Sequence, residues 1–290
     1  MTKRRADLVL LLVTSIWGVG FVAQRSGSAH MSALSFNAAR FLLGGIIVAL
    51  FVWWRRRGNN TASPIRLSKD GCALGGALAM AALLQQQGVP LTTTANVSFL
   101  TIMNVIFVPL LARFIGHLPR ATEIVGACMA VVGAYFMSVD GSTSIHVGDW
   151  WVLASALFWA LHIIVVSFAC ERHDPFELAA QQFLVCGVLS ACGALIFEDL
   201  SNQSLILALP SILFAGGLSV AVAYTLQVVA QRHVTPSHAV IILSLEGVFG
   251  ALAGWIFCGE TMSLRAILGA GILTLGVIVA QWKPPTQLAA

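Results

Sequence analysis

Residues 7–22 read DLVLLLVTSIWGVGFV, and residues 149–164 read DWWVLASALFWALHII. Both stretches are apolar, open on an aspartate and carry a tryptophan ten positions on, and they lie 142 residues apart. The offset persists outward from this pair. Ala38, Phe41 and Leu42 recur as Ala180, Phe183 and Leu184, and Phe107 recurs as Phe249. Gly75, Gly76, Gln86 and Thr94 recur as Gly216, Gly217, Gln227 and Thr235 at 141, while Gly116, Gly126 and Gly133 recur as Gly259, Gly269 and Gly276 at 143. A shift that drifts by one residue over half a chain marks an internal duplication. Duplicated apolar helices point to a secondary transporter whose site lies where the repeats meet.

Composition bounds the class. The chain is 58% hydrophobic and 10% charged, with a mean hydropathy of +0.87; a soluble domain carries about 25% charged residues. The formal charge of +4 does not point to nucleic acid, because the basic residues cluster at the ends of apolar segments. The six cysteines lie in or beside apolar stretches, form no C-x-x-C pair, and read as small packing residues. No cleavable leader is expected, since the apolar pattern that starts at Leu8 continues through Trp17 to Ala23.

A helix needs about 20 apolar residues to cross a bilayer. Ten such spans are expected near 7–24, 32–54, 71–88, 93–114, 121–139, 149–170, 176–197, 208–231, 236–258 and 264–282. If the N-terminus is cytoplasmic, Lys3, Arg4, Arg5, Arg55, Arg56, Arg57, Arg66, Lys69, Arg113, Arg120, Arg172, Arg232 and Lys283 all fall inside. Only Arg25 and Arg265 fall outside, and Arg40 lies within a span, which accounts for all 16 Lys and Arg. The positive-inside rule then places both termini in the cytoplasm. Five spans per repeat, an odd number, insert the second repeat (144–290) upside down relative to the first (1–143), so the expected fold is an all-α polytopic membrane protein of two inverted five-helix repeats.

The stretch Ile16-Trp17-Gly18 through Phe21-Val22, with Ser32-Ala33-Leu34 and Arg40-Phe41, resembles the opening spans of EamA-type members of the drug/metabolite transporter superfamily. Ser244-Leu245-Glu246, Phe249, Ala251-Leu252, Gly254-Trp255, Gly259-Glu260, Gly269 and Gly276 extend that resemblance over the ninth and tenth spans. The resemblance implies a central cavity built by spans one to four and six to nine, with spans five and ten as peripheral scaffold. Two departures stand out: Gly247 follows Glu246 where family members commonly carry proline, and His117 stands opposite Glu260.

Polar residues at membrane depth are costly and are functional candidates by default. Glu246 lies near the midplane, with Asn104 as its repeat partner. Arg40, partnered by Gln182, can clamp a carboxylate through paired hydrogen bonds or serve a structural ion pair. Trp17 and Trp159 offer symmetric ring faces to a substrate, or simply pack. His162 is a candidate proton carrier beside Glu246. The run Gln85-Gln86-Gln87, with Gln227 as the counterpart of Gln86 and Tyr224 beside it, suits a polar, zwitterionic solute, or Gln87 simply caps a helix end. Gly126, Gly133, Gly269 and Gly276 mark one helix face for packing or dimerisation. Gly18 to Ala23 fits G-x-G-x-x-A by letter but has no preceding strand, and neither a P-loop nor metal-ligand spacing occurs, so no cofactor and no metal are expected. Ser15, Ser155 and His162 lack a third orienting group, which argues against an enzyme. The expected activity is export of small metabolites across the cytoplasmic (inner) membrane, amino acids or related zwitterions first, as proton antiport or as an uncoupled facilitator. A lipophilic-cation exporter is the alternative, and a non-transporting membrane sensor or scaffold the alternative of another class. The expected partners are lipid bilayer, solute and, under antiport, protons; the chain acts as a monomer or a homodimer.

Overall fold

The computed structural model describes residues 1–58, 65–92, 94–114, 116, 118–138, 146–201, 204–258 and 263–282. His117, Gly259, Glu260 and Lys283 lie outside the described residues. Among the described residues every regular element is helical. The first part of the chain forms α1 (Lys3–Ser28), α2 (Ala33–Gly58), α3 (Lys69–Gly88), a 3-10 turn (Val89–Leu91), α4 (Thr94–Ile102), α5 (Asn104–Arg113) and α6 (Ala121–Ser138). Then come α7 (Val147–Arg172), α8 (Pro175–Phe197), α9 (Leu205–Ile212), a π-helical segment (Leu213–Tyr224), α10 (Thr225–Gln231), α11 (Pro236–Leu243), α12 (Glu246–Cys258) and α13 (Leu264–Gln281). Among the described residues eight helical runs are long and apolar enough to cross a membrane. The outer surface suits lipid: Phe114, Phe197 and Ile206 are at least 80% exposed, a heavy cost in water at about 25 cal/mol per Å².

Helix starts follow their caps. Ser68, Asp174, Thr235 and Ser263 each accept a backbone N–H of the turn they precede, and prolines at Pro175 and Pro236 lose no helical bond at these first positions.

Three spans differ from the continuous helices expected. The stretch 93–114 breaks at Met103, and 236–258 breaks at Ser244 and Leu245, so Asn104 and Glu246 each begin the second half of a broken span. In the second break the Thr14 hydroxyl of α1 donates to the Leu243 carbonyl at 3.0 Å, while the Gly247 N–H turns to Ser244 O. A neighbouring helix thus satisfies a group the break frees, which makes irregular backbone tolerable in lipid. In the third case, Pro210 lies inside α9, and the chain continues as π-helix from Leu213.

The bundle has two ends. At the basic end Arg55 pairs with Asp174 at 2.7 Å, Arg56 with Glu177, and His173 with Asp70 at 2.9 Å. At the opposite end Glu198 accepts from Leu34 N, Ser35 N and the Ser35 hydroxyl at 2.7, 2.9 and 2.7 Å. The Arg55, Arg56 and Glu198 contacts brace α2 against α8 at both ends, while His173–Asp70 ties the α7–α8 junction to α3. α6 and α13 pack together at one side through glycines: a Cβ on Gly126 would meet Gly276 O, and one on Gly133 would meet Gly269 O, each at 2.6 Å. Those glycines serve a contact within one chain rather than one between two copies. The interior is filled by α1, α7, the two broken spans, the π segment and α3.

Candidate functional site

A narrow cavity lies where the broken spans meet α1, α2, α3, α7 and the π segment. Trp17, Phe21 and Gln24 line it from α1, at the four- and three-residue spacing of one helix face. Trp159 and Ile163 line it from α7, with Thr101, Asn104, Leu243 and Glu246 from the tips of the broken helices. Arg40, Gln85, Ser219 and Tyr224 complete it. Its volume is about 40 Å³, room for a few waters at roughly 10–15 Å³ each. A solute the size of an amino acid enters only after the helices move.

Tyr224 is the hub of the wall. Its ring centroid lies 4.5 Å from Trp17, 6.0 Å from Trp159 and 6.1 Å from Phe183. The indole nitrogens of Trp17 and Trp159 are buried without a hydrogen-bond partner, so two N–H donors stand unused beside the cavity.

The charged groups are more telling. Arg40 is 2% exposed. Its Nε donates to Asn37 Oδ1 at 2.9 Å, and the guanidinium carbon stands 4.7 Å from the Phe41 ring and 5.6 Å from Phe36. Its Nη2 has no partner, and no carboxylate among the described residues pairs with it. Glu246 is also buried, and its carboxylate makes no hydrogen bond among the described residues. A guanidinium in low dielectric normally finds an anion, because leaving it alone forfeits the attraction that offsets its desolvation. One cavity therefore holds an unpaired cation and an unpaired acid that do not neutralise each other. Asn104 Oδ1 and Gln24 Oε1 add buried acceptors without partners.

Six of the expected residues line this cavity: Trp17, Arg40, Asn104, Trp159, Tyr224 and Glu246. Four do not. Gln86 donates to Ser28 Oγ at 2.6 Å and to Gln24 O at 3.3 Å, tying α3 to α1. His162 contacts Gln182 through Nε2 and Oε1 at 2.7 Å, behind the Trp159–Tyr224 wall. Gln227 is buried in α10 among packed helices. Gln85 belongs to the glutamine run singled out in the sequence, although repeat symmetry favours Gln86; it lines the cavity and donates to the Thr101 hydroxyl at 3.0 Å, whereas sequence reasoning missed Gln24 and Thr101. The run Gln85-Gln86-Gln87 held the signal, but neighbours on a helix point about 100° apart and only packing selects between them. Gly247 lies where α12 meets α4: a Cβ there would meet Ile102 Cδ1 at 2.7 Å and Ser98 Oγ at 2.8 Å, so those side-chain ends would have to shift to admit a larger residue. Among the described residues no group of three His, Cys, Asp or Glu could hold a metal ion.

A family model described as the EamA-like transporter family matches residues 4–139 and again 146–281. An uncharacterised transporter of Archaeoglobus fulgidus is 30% identical over 283 residues, covering 96% of this chain and 86% of that one. The threonine/homoserine exporter RhtA of Salmonella typhimurium (strain LT2) is 28% identical, covering 94% and 88%. Its Escherichia coli (strain K12) namesake is also 28% identical, covering 92% and 87%. One crystal structure overlays with a TM-score of 0.80 at 17% identity, over 96% of each chain, a likeness of fold.

Proposed function

Because the chain belongs to the EamA-like transporter family, we propose that this multi-pass membrane protein exports small zwitterionic metabolites, amino acids first, by alternating access. The observation that carries the reading is the pair of unneutralised opposite charges, Arg40 and Glu246, in one narrow cavity. A zwitterion supplies what each lacks. Its carboxylate meets the guanidinium and the indole donors, and its ammonium meets Glu246 and the amide oxygens. The relatives named threonine/homoserine exporters support the same class.

The architecture that serves this is ten spans in two inverted repeats, 1–143 and 144–290, in the inner membrane with both termini cytoplasmic. The two family matches support it, as do contacts that come in mates: α1 on α12 with α7 on α4 and α5, and α2 on the π segment with α8 on α3. The basic end is then the cytoplasmic one. Under antiport Glu246 takes its proton outside and releases it inside, in competition with the ammonium, with His162 as a secondary carrier. Without that exchange the protein is a facilitator. The aromatic wall around Tyr224 with Glu246 favours a second substrate class, lipophilic cations, in which Arg40 stays structural.

The test is efflux of labelled threonine and homoserine from proteoliposomes, with and without a pH gradient, for wild type and Glu246→Gln. Efflux driven by the gradient and lost in the variant supports the exporter coupled through Glu246. Efflux indifferent to both makes it a facilitator, and transport of cations alone moves the substrate class.

A further inference from the structure

Asp7 and Asn96, each shifted by 142 positions, give Asp149 and His238. The structure pairs these four residues crosswise. At the basic end Asp7 of α1 meets His238 of α11, Oδ1 to Nε2 at 2.8 Å. At the opposite end Asp149 of α7 accepts through Oδ1 from the Thr92 hydroxyl at 2.5 Å and from Asn96 Nδ2 of α4 at 3.2 Å, and through Oδ2 from His146 N at 2.8 Å. Each contact joins a first-of-half helix to the broken span of the other half. Trp17 and Trp159 stand ten residues beyond the two aspartates, and Glu246 and Asn104 eight beyond His238 and Asn96. At 1.5 Å per residue the contacts lie about 12–15 Å from the cavity, one towards each end.

We propose that Asp7 and His238 form a cytoplasmic latch that a proton opens, while the Asp149–Thr92–Asn96 latch at the other end does not respond to pH. The proposal rests on the reading of the basic end as cytoplasmic. The partners of Asp149 across its contact, Thr92 and Asn96, do not titrate, and the histidine at that end, His146, caps its own helix α7. The α11 partner of Asp7 is a histidine, the side chain whose unperturbed charge change falls between pH 5 and 8. The His238 side chain is 2% exposed, and Asp7 is 16% exposed. Neutral His238 already makes the latch, by donating Nε2–H to Asp7. A second proton must sit on Nδ1, which is buried without a hydrogen-bond partner. That N–H finds an acceptor only when α1 and α11 part and water enters, so protonation favours the open end.

The groups around the ring leave that geometry decisive. From α1 come the Asp7 carboxylate and the Lys3 ammonium, of opposite charge. From α6 comes Glu123, already paired with Arg120 at 2.8 Å. Arg113 ends α5, Arg172 ends α7, and Arg232 and His233 precede α11, while α13 has no ionisable side chain in its basic-end half. The latch takes its proton from the cytoplasm and returns it there. It therefore senses cytoplasmic pH without carrying a proton across, and is separate from any coupling through Glu246.

The test is hydrogen–deuterium exchange of the full chain in lipid nanodiscs from pH 5.5 to 8, corrected for intrinsic amide rates, without substrate. Wild type should lose protection at 236–243 in acid, by up to about tenfold per pH unit for a one-proton opening, with 94–102 unchanged. His238→Asn, which copies the other latch, should keep its protection and lose the pH response. Asn96→His should gain an acid response at 94–102, a change that misfolding does not mimic. A response at 236–243 that survives His238→Asn, or protection that rises in acid, overturns the latch. Threonine efflux measured in parallel reports on the transport reading alone, so a latch without threonine transport sinks only the substrate class.

Discussion

Replacing Arg40 by methionine should raise the stability of the empty protein and destroy its affinity for a zwitterion. Taking one charge out of water costs on the order of 5 kcal/mol in a protein interior. The structure offsets this with one hydrogen bond to Asn37 at 2.9 Å, worth about 2 kcal/mol for a charged donor, and ring contacts to Phe41 and Phe36, about 1 kcal/mol each. No carboxylate among the described residues adds to that side. The balance leaves roughly 1–2 kcal/mol against the guanidinium, which an apolar side chain of similar length removes. With substrate bound the sign reverses, because a buried carboxylate left without its cation loses about 2–5 kcal/mol. The assay is thermal unfolding in detergent, with threonine or homoserine at 0 and at 100 times the wild-type Kd. Wild type should gain about 2.7 kcal/mol from ligand at that concentration. Arg40→Met should start higher and gain less than about 1 kcal/mol. A variant that is less stable when empty and keeps the full ligand gain refutes the argument, since Arg40 would then be a structural residue away from the substrate.

Further outcomes follow from the same geometry. Thr14→Val removes the donor to Leu243 O in a fully buried place and should destabilise by about 1–3 kcal/mol, read by thermal unfolding, with faster amide exchange at 241–247. Gly247→Val drives a side chain into Ile102 and Ser98, should cost about 1–3 kcal/mol of stability, and should slow efflux by separating α12 from α4. Gly133→Ala meets the Leu273 backbone nitrogen and Gly269 O, whereas a Cβ on Gly76 meets nothing within 4 Å. The first should lower the unfolding temperature and the second leave it unchanged.

Much of this molecule was legible before any coordinates. Apolar stretches of helical length, polar caps and basic segment ends are local properties, and a duplication survives as a constant offset, so the all-helical, membrane-spanning character followed from Asp7, Trp17 and their mates. The broken spans did not. Asn104 marks the first break as polar but not as a helix end, and the second break depends on Thr14, a residue 229 positions from the carbonyl it satisfies. The same holds for the cavity. Repeat symmetry singled out Gln86 and Gln227, yet Gln85 faces the cavity while Gln86 holds α3 to α1. A one-residue step turns a helical side chain by about 100°, and sequence records the step without recording which direction is inward. Charge is legible in the chain, but whether Arg40 and Glu246 are neutralised depends on which helices pack beside them. The tertiary structure alone decided that they share a cavity and remain unpaired.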